Sequence, residues 1–283
     1  MTGADAVYYF SFGHYRIAYR IFGNGPASLL AFHGFGQTSR VYWSLQKAVG
    51  NRYTVYAFDL PHHGNSQSSI DQLLTKTDWE RLVSDFLRAH SIKQFALMGF
   101  SLGGRFALIT AELFSDWITD LYLIAPDGIV RNHWYDLATR SAIGRSLFCY
   151  VLRHLSVLTN LGHGLTRMGL LNRTFMRFVE HSISTPGQRQ LVYQVWTQTR
   201  LIWPAIDELG AALAKRTVPV WIFLGAFDRI IPGYYVRPLF RLLTTYQLTI
   251  FRSGHNRLIE LTAGELAKRP AHYLPQPGNG HND

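Results

Sequence analysis

The sequence predicts an α/β protein, a doubly wound, mostly parallel sheet carrying an inserted block of helices. Three observations lead there. Short, almost wholly apolar runs recur along the chain, as strands buried on both faces require. Amphipathic helical stretches separate them. One connection, from Gly128 to about Pro219, is far too long for a loop and shows no strand pattern.

The elements follow in order. Tyr8–Phe12 and Tyr15–Phe22, with Gly13 and Gly23 beside them, read as a hairpin-like start. Ser28–Phe32 ends in His33-Gly34-Phe35-Gly36, and Tyr53–Phe58 ends in Asp59-Leu60-Pro61. Phe95–Met98 ends at Gly99, and Leu121–Ala125 ends in Pro126-Asp127-Gly128. Val220–Leu224 and Gln247–Phe251 complete the strands. Trp79–His90 sets Leu82, Val83, Phe86 and Leu87 at helical spacing. Within the long connection, Leu147, Tyr150, Val151 and Leu155 fall near one helix face, and the pattern continues through Phe175, Phe178 and Val179. The expected organisation is a core of residues 1–128 and 206–267, a helical cap of residues 129–205, and an unstructured Pro/Gly-rich tail of residues 268–283.

Composition narrows the function classes. Hydrophobic residues are 47% and charged residues 16%, which excludes a disordered chain. The single Cys149 cannot form an internal disulfide, so a reducing, cytoplasmic setting is expected. Met1–Phe10 lacks the pattern of a secretory signal, and no run approaches ~18 apolar residues. The net charge is +10, which first suggests nucleic acid. Its location argues otherwise. Arg131, Arg140, Arg145, Arg153, Arg167, Arg173, Arg177, Arg189 and Arg200 all lie between Ile129 and Ala205, against only Asp136 and Glu180. The rest of the chain is nearly balanced, so no nucleic-acid partner is expected. Either the arginines form a solvated outer face, or the cap meets an acidic substrate or an anionic membrane surface peripherally.

The chemistry centres on Gly99-Phe100-Ser101-Leu102-Gly103, followed by Gly104. It lies between an apolar strand and a helix beginning near Gly104, the context a nucleophile elbow needs. The small neighbours let the chain double back and lift the Ser101 hydroxyl above the sheet. With the order serine, acid, histidine, the base must come late. His255, in Ser253-Gly254-His255-Asn256, follows the last strand, whereas His272 and His281 lie in the tail. The acid has two candidates at strand ends, Asp228 after Val220–Leu224 and Asp127 after Leu121–Ala125. Asp127 sits in a Pro-Asp-Gly turn signal, so Asp228 is favoured. Asp59 with His62 and His63 is a poor metal set, because adjacent histidines point apart and no cysteine or carboxylate cluster completes it. No Rossmann or P-loop glycine pattern follows the first strand. No metal and no cofactor are expected.

Together these segments resemble the α/β-hydrolase superfamily, in the serine-nucleophile branch with a helical cap. The matching motifs are His33-Gly34-Phe35-Gly36, Asp59-Leu60-Pro61-His62-His63-Gly64-Asn65-Ser66, Gly99-Phe100-Ser101-Leu102-Gly103-Gly104, Asp228 and Gly254-His255. The resemblance implies an oxyanion hole from the backbone N–H groups of Phe35 and Leu102, and a structural role for His33. It also favours Asp228, which Ile231-Pro232 follows as in the family's acid loop, although some members carry the acid at the position of Asp127. His62 stands where members usually have glycine, either as a substrate-specific feature or as a tolerated turn variant. The implied activity is hydrolysis of a small acyl substrate, a carboxylester, thioester or lactone, through an acyl-enzyme. The alternatives are a carbon–carbon bond hydrolase with the same triad, or a small-ligand receptor on the same fold. Dehalogenases and epoxide hydrolases fit less well, since they use aspartate where this chain has Ser101. Oligomeric state is open.

Overall fold

A computed structural model describes residues 6–68, 73–131, 133–154, 159, 162–164, 166–168 and 173–268, except the side chains of Thr174, Phe175 and Phe178. The expected tail from residue 269 onward, Leu155 and those two phenylalanine side chains lie outside the described residues.

Nine strands form one sheet: β1 (Tyr8–Phe12), β2 (Tyr15–Phe22), β3 (Ala27–Phe32), β4 (Tyr53–Phe58), β5 (Gln67–Ser68), β6 (Phe95–Phe100), β7 (Ile118–Ile124), β8 (Val220–Gly225) and β9 (Tyr246–Phe251). Their order is β1-β2-β4-β3-β6-β7-β8-β9, with β5 pairing β2. From β4 to β9 every pairing is parallel, while β1 and β5 meet β2, and β2 meets β4, in antiparallel fashion. The two-residue β5 is too short to leave a periodic signal.

The apolar runs have the predicted meaning. In β3, Leu30 and Phe32 enter one core cluster and Leu29 and Ala31 the other. In β6, Phe95 and Leu97 face one side, and Ala96, Met98 and Phe100 the other. Alternation at period two thus buries all of β6 and Leu29–Phe32 of β3, because helices cover both faces there. The edge strand β9 departs from the expected burial on both faces, with Leu248 and Ile250 exposed.

Helices α1 (Leu45–Val49), α2 (Lys76–Ala89) and α3 (Leu102–Leu113) follow β3, β5 and β6. Helix α2 starts a turn earlier than the apolar spacing suggests. Thr75 and Asp78 form a capping box there, with Asp78 N–H donating to Thr75 Oγ1 and Thr75 N–H to Asp78 Oδ2 (both 3.1 Å). Trp79 Nε1 donates to Thr110 Oγ1 at 2.9 Å, locking α2 to α3.

Between β7 and β8 lie α4 (His133–Thr139), α5 (Ala142–Arg153) and helices over Arg173–Ser182, Pro186–Gln198 and Ile206–Arg216. Buried Leu152, Ile183 and Val192 form a small cluster there, packed with Phe148, Val179, Tyr193, Trp196 and Phe35. The face of α5 that carries Leu147 and Tyr150 lies outward. The buried side is Gly144 and Leu152. The spacing located a helix but could not say which face has a partner. The Ile206–Arg216 helix returns to the core, packing Leu209 and Leu213 under the sheet. Among the described residues no helix is long and apolar enough to cross a membrane.

Candidate active site

Parallel strands β6, β7, β8 and β9 end side by side, and the candidate residues stand on the loops that leave those ends. Ser101 is the first residue after β6, with φ 52° and ψ −118°. A non-glycine residue at positive φ costs about 1–3 kcal/mol and persists only where its surroundings enforce it. Here they do. Ser101 N–H donates to Ile124 O at 3.0 Å, and Ser101 O accepts from Gly104 N–H at 2.8 Å and Asp127 N–H at 2.9 Å. The turn is so tight that α3 begins at Leu102, two residues before the expected start at Gly104. A Cβ on Gly103 would lie 1.8 Å from Phe32 O, one on Gly99 2.4 Å from Gly103 O, and one on Gly104 2.6 Å from Pro126. The spacing of small residues is therefore a packing requirement.

The loop after β3 faces this elbow. His33 Nδ1–H donates to Gly34 O at 2.7 Å, and its Nε2 accepts from Leu60 N–H at 3.0 Å. One fully buried imidazole thus fixes the loops after β3 and β4 together. Gln37 Oε1 accepts from Gly34 N–H at 3.1 Å, which shapes the backbone ahead of Phe35. Leu102 opens α3, where the first N–H groups have no acceptor within the helix. These are the positions of the two N–H groups expected to hold an oxyanion.

The late histidine and Asp228 meet directly. His255 Nδ1–H donates to Asp228 Oδ2 at 2.6 Å, and both side chains are almost wholly buried. Asp228 Oδ1 accepts from Ile230 N–H at 2.9 Å and Ile231 N–H at 3.0 Å, so the carboxylate cannot turn away. The two loops are tied by their backbones, with Ala226 N–H on Phe251 O at 2.8 Å and Phe227 N–H on Ser253 O at 3.0 Å. The ring of Phe100, the residue before Ser101, lies 4.8 Å from the His255 ring. The base loop and the elbow are therefore in contact.

Asp127 is engaged elsewhere. Its Oδ2 pairs with Arg105 Nη2, and its Oδ1 accepts from Gly128 N–H at 2.7 Å. Burial would pull the Arg105 guanidinium down, but Asp127 and Tyr135 together hold it above its ordinary value. The guanidinium carbon lies 4.1 Å from the centre of the Trp203 ring, and Arg105 Nη1 donates to Tyr135 Oη at 3.4 Å. This group joins the helix behind the elbow to residues of the inserted segment. Arg105 escaped the sequence reading because its partners lie 22, 30 and 98 residues away with no spacing rule to connect them.

The His62-His63 pair divides. His63 is buried, with Nδ1–H on Pro61 O at 2.9 Å and its ring against His33 and Phe35. Burial first, then the neighbouring His33, hold His63 down to about 3; burial holds His33 down to about 4. His62 has φ 68°, which explains why glycine suits its position, and its ring reaches Ser68 Oγ at 3.0 Å. Asp59 is structural: Oδ1 accepts from Ser39 N–H at 2.6 Å and Oδ2 from Asn65 N–H at 2.9 Å. Among the described residues no cluster of three or more histidine, cysteine or acidic side chains could hold a metal.

Comparison with known proteins agrees with this frame. Residues 27–260 match the family described as the alpha/beta hydrolase fold, and the chain belongs to that family. An uncharacterised protein of Mycobacterium bovis is 32% identical over 118 residues, which are 42% of this chain and 34% of that protein. The pimeloyl-[acyl-carrier protein] methyl ester esterase of Aeromonas hydrophila is 30% identical over 125 residues, 44% of this chain and 47% of that enzyme. The chain thus spans about a third to a half of the length of these relatives. The solved structure of an esterase from Rhodococcus sp. ECU1013 superposes with a TM-score of 0.64 at 18% identity, covering 92% of this chain and 96% of that one. Among the relatives and neighbours are esterases, and ester hydrolysis is the activity they support in general.

Proposed function

We propose that this chain is a serine hydrolase acting on an ester-type bond, with Ser101 as nucleophile, His255 as base and Asp228 as the orienting acid. The observation that carries the reading is the 2.6 Å His255–Asp228 pair, packed through Phe100 against a serine held at positive φ on a strand-to-helix turn. Because Nδ1 of His255 gives its hydrogen to Asp228, Nε2 is the basic nitrogen. It takes the Ser101 proton as Oγ bonds to the carbonyl carbon. The carbonyl electron pair moves to oxygen, which the N–H groups of Phe35 and Leu102 stabilise, each by about 2.7–4 kcal/mol. Collapse breaks the bond to the leaving alcohol or thiol, which departs with the proton from the imidazolium. Water then gives a proton to His255 and attacks the acyl carbon, and Ser101 leaves protonated. No cofactor takes part.

The substrate is a small carboxylester, thioester or lactone. Phe35 packs on the apolar cluster of the inserted helices, so an apolar acyl group suits the space beside its N–H. The inserted helices act as the cap, and their arginines are where an anionic group would be met, on a substrate or on a membrane. The lone cysteine fits a reducing, cytoplasmic setting.

Turnover of a short p-nitrophenyl ester tests the reading. Ser101→Ala should lower kcat by at least about 10⁴-fold with the melting temperature unchanged. Equal turnover by wild type and variant would refute the nucleophile. Turnover confined to a vinylogous diketone would indicate carbon–carbon cleavage, and tight binding of ligands without turnover would indicate a receptor.

A further inference from the structure

Helices α4 and α5 form a close hairpin with an inverted surface. Tyr135 and Thr139 of α4, and Gly144 and Leu152 of α5, are buried. A Cβ on Gly144 would lie 2.1 Å from Leu137 O, so the two backbones touch at that crossing. Arg145 Nη1 donates to Thr139 O and Arg140 O, both at 3.0 Å, and closes the end of α4 onto α5. Leu137 and Ile143 therefore flank one crossing. Trp134 precedes Leu137 by one turn, and Leu147 and Tyr150 follow Ile143 at i+4 and i+7 on one helix face. These five large side chains are between 53% and 82% exposed. Scattered exposed apolar residues are ordinary, but a contiguous stripe marks an interaction surface.

The surroundings of the stripe say what covers it. Residues 131–154 hold four arginines and one acid, Asp136, which Arg131 engages at 2.9 Å and Arg140 at 3.9 Å. Arg140, just past α4, and Arg153, the last residue of α5, are exposed on the same hairpin as the stripe. A second copy laid on this face would bring like charges together, which is unfavourable. Nucleic acid would satisfy the arginines and leave Ile143 and Leu147 against phosphate. A bilayer with acidic headgroups satisfies both, since apolar side chains enter the acyl boundary while Trp, Tyr and Arg sit at headgroup depth.

We propose that the exposed face of the α4–α5 hairpin docks on an anionic lipid bilayer. The inference stands on Trp134, Leu137, Ile143, Leu147 and Tyr150 and does not depend on the role of Ser101.

Flotation of the full chain with phosphatidylglycerol-containing vesicles and with pure phosphatidylcholine vesicles, at low and high salt, tests it. Wild type should float with the anionic vesicles and lose binding as salt rises. Arg140→Gln with Arg153→Gln should weaken partition about fivefold for each arginine. Trp134→Ser, Ile143→Ser and Leu147→Ser together should reduce it to the level of phosphatidylcholine. Both variants should still fold and melt cooperatively, because the altered side chains are largely exposed. Indifference of wild type to anionic lipid, or undiminished binding by the triple variant, would overturn the proposal. So would a wild-type dimer in analytical ultracentrifugation that the triple variant turns into a monomer, which would show that a second copy covers the face.

Discussion

At the elbow a Cβ on Gly103 would stand 1.8 Å from a backbone oxygen, whereas at Gly164 and Gly187, in the inserted helices, it would meet nothing within 4 Å. The same contrast runs through the apolar residues. Around Ser101 they are inside, in two clusters that fill both faces of the sheet. In α4 and α5 several of the largest are outside. The region that holds the reacting groups is over-determined, with each backbone turn fixed by several contacts. Among the described residues, Arg105 with Asp127, Tyr135 and Trp203 is one point that joins the inserted segment to it. Under the proposed function, the first region would carry the chemistry and the second would meet the substrate.

The sharpest way to break this contrast is within the site itself. Asp228→Asn should reduce kcat by ~10⁴-fold, because the imidazole loses both its tautomer and its orientation. Asp127→Asn should change kcat far less and lower stability instead, since it leaves Arg105 buried without its carboxylate. Steady-state kinetics and thermal melts on both variants would check the pair, and the reverse ranking would move the acid to the end of β7.

Backbone packing gives the next largest difference. Gly103→Ala should cost ~4 kcal/mol or more in urea unfolding, or prevent folding, because the atom it meets is backbone. Gly187→Ala, near the start of the Pro186–Gln198 helix, should stabilise by about 0.4–1 kcal/mol. If both are neutral, the elbow is looser than described.

Protonation offers a third test confined to the core. His33 and His63 are held neutral, with folded values of about 4 and about 3, whereas the unfolded chain binds these protons near pH 6.5. Below that pH the unfolded state takes up more protons, so their contribution to stability is intact above about 6.5. It declines as pH falls through 6 and 5 toward 4 and 3. The loss should reach a few kcal/mol, on the order of 1.4 kcal/mol per unit. Urea unfolding at pH 8 and pH 5 would show it, and a flat profile would mean that these rings are less buried than the fold requires.

The smallest effects lie in the insert. Leu152→Ala, in its apolar cluster, should cost ~2–3 kcal/mol, and Leu147→Ala, on the solvent side of the same helix, less than ~0.5 kcal/mol. Equal costs would mean that the exposed stripe is covered within the monomer.

How much was legible in the sequence follows the same division. The main strands of the sheet were readable because burial on both faces leaves long apolar runs, and the elbow because a sharp turn demands glycine on either side of the serine. His255 was readable from chain order. Asp228 was favoured over Asp127 from the Pro-Asp-Gly turn and from Ile231-Pro232, and its hydrogen bond to His255 adds what spacing could not give. The capping box that extends α2 lies outside its apolar spacing, so that spacing alone does not reach the start of the helix. The outward direction of the α5 face was not legible for a physical reason: periodicity reports a stripe and does not say what it packs against. His62 was noticed only as a departure, and its φ of 68° accounts for it.

The central claim is that an acyl group is transferred to Ser101 Oγ. Treating the protein with a fluorophosphonate, digesting it and mapping the adduct by mass spectrometry tests that claim most directly. The account predicts one phosphonylated peptide, containing Gly99-Phe100-Ser101-Leu102-Gly103 and modified at Ser101, that disappears in Ser101→Ala and forms at least ~100-fold more slowly in His255→Ala, which lacks the general base. Labelling at another residue, or unchanged labelling of Ser101→Ala, would contradict it.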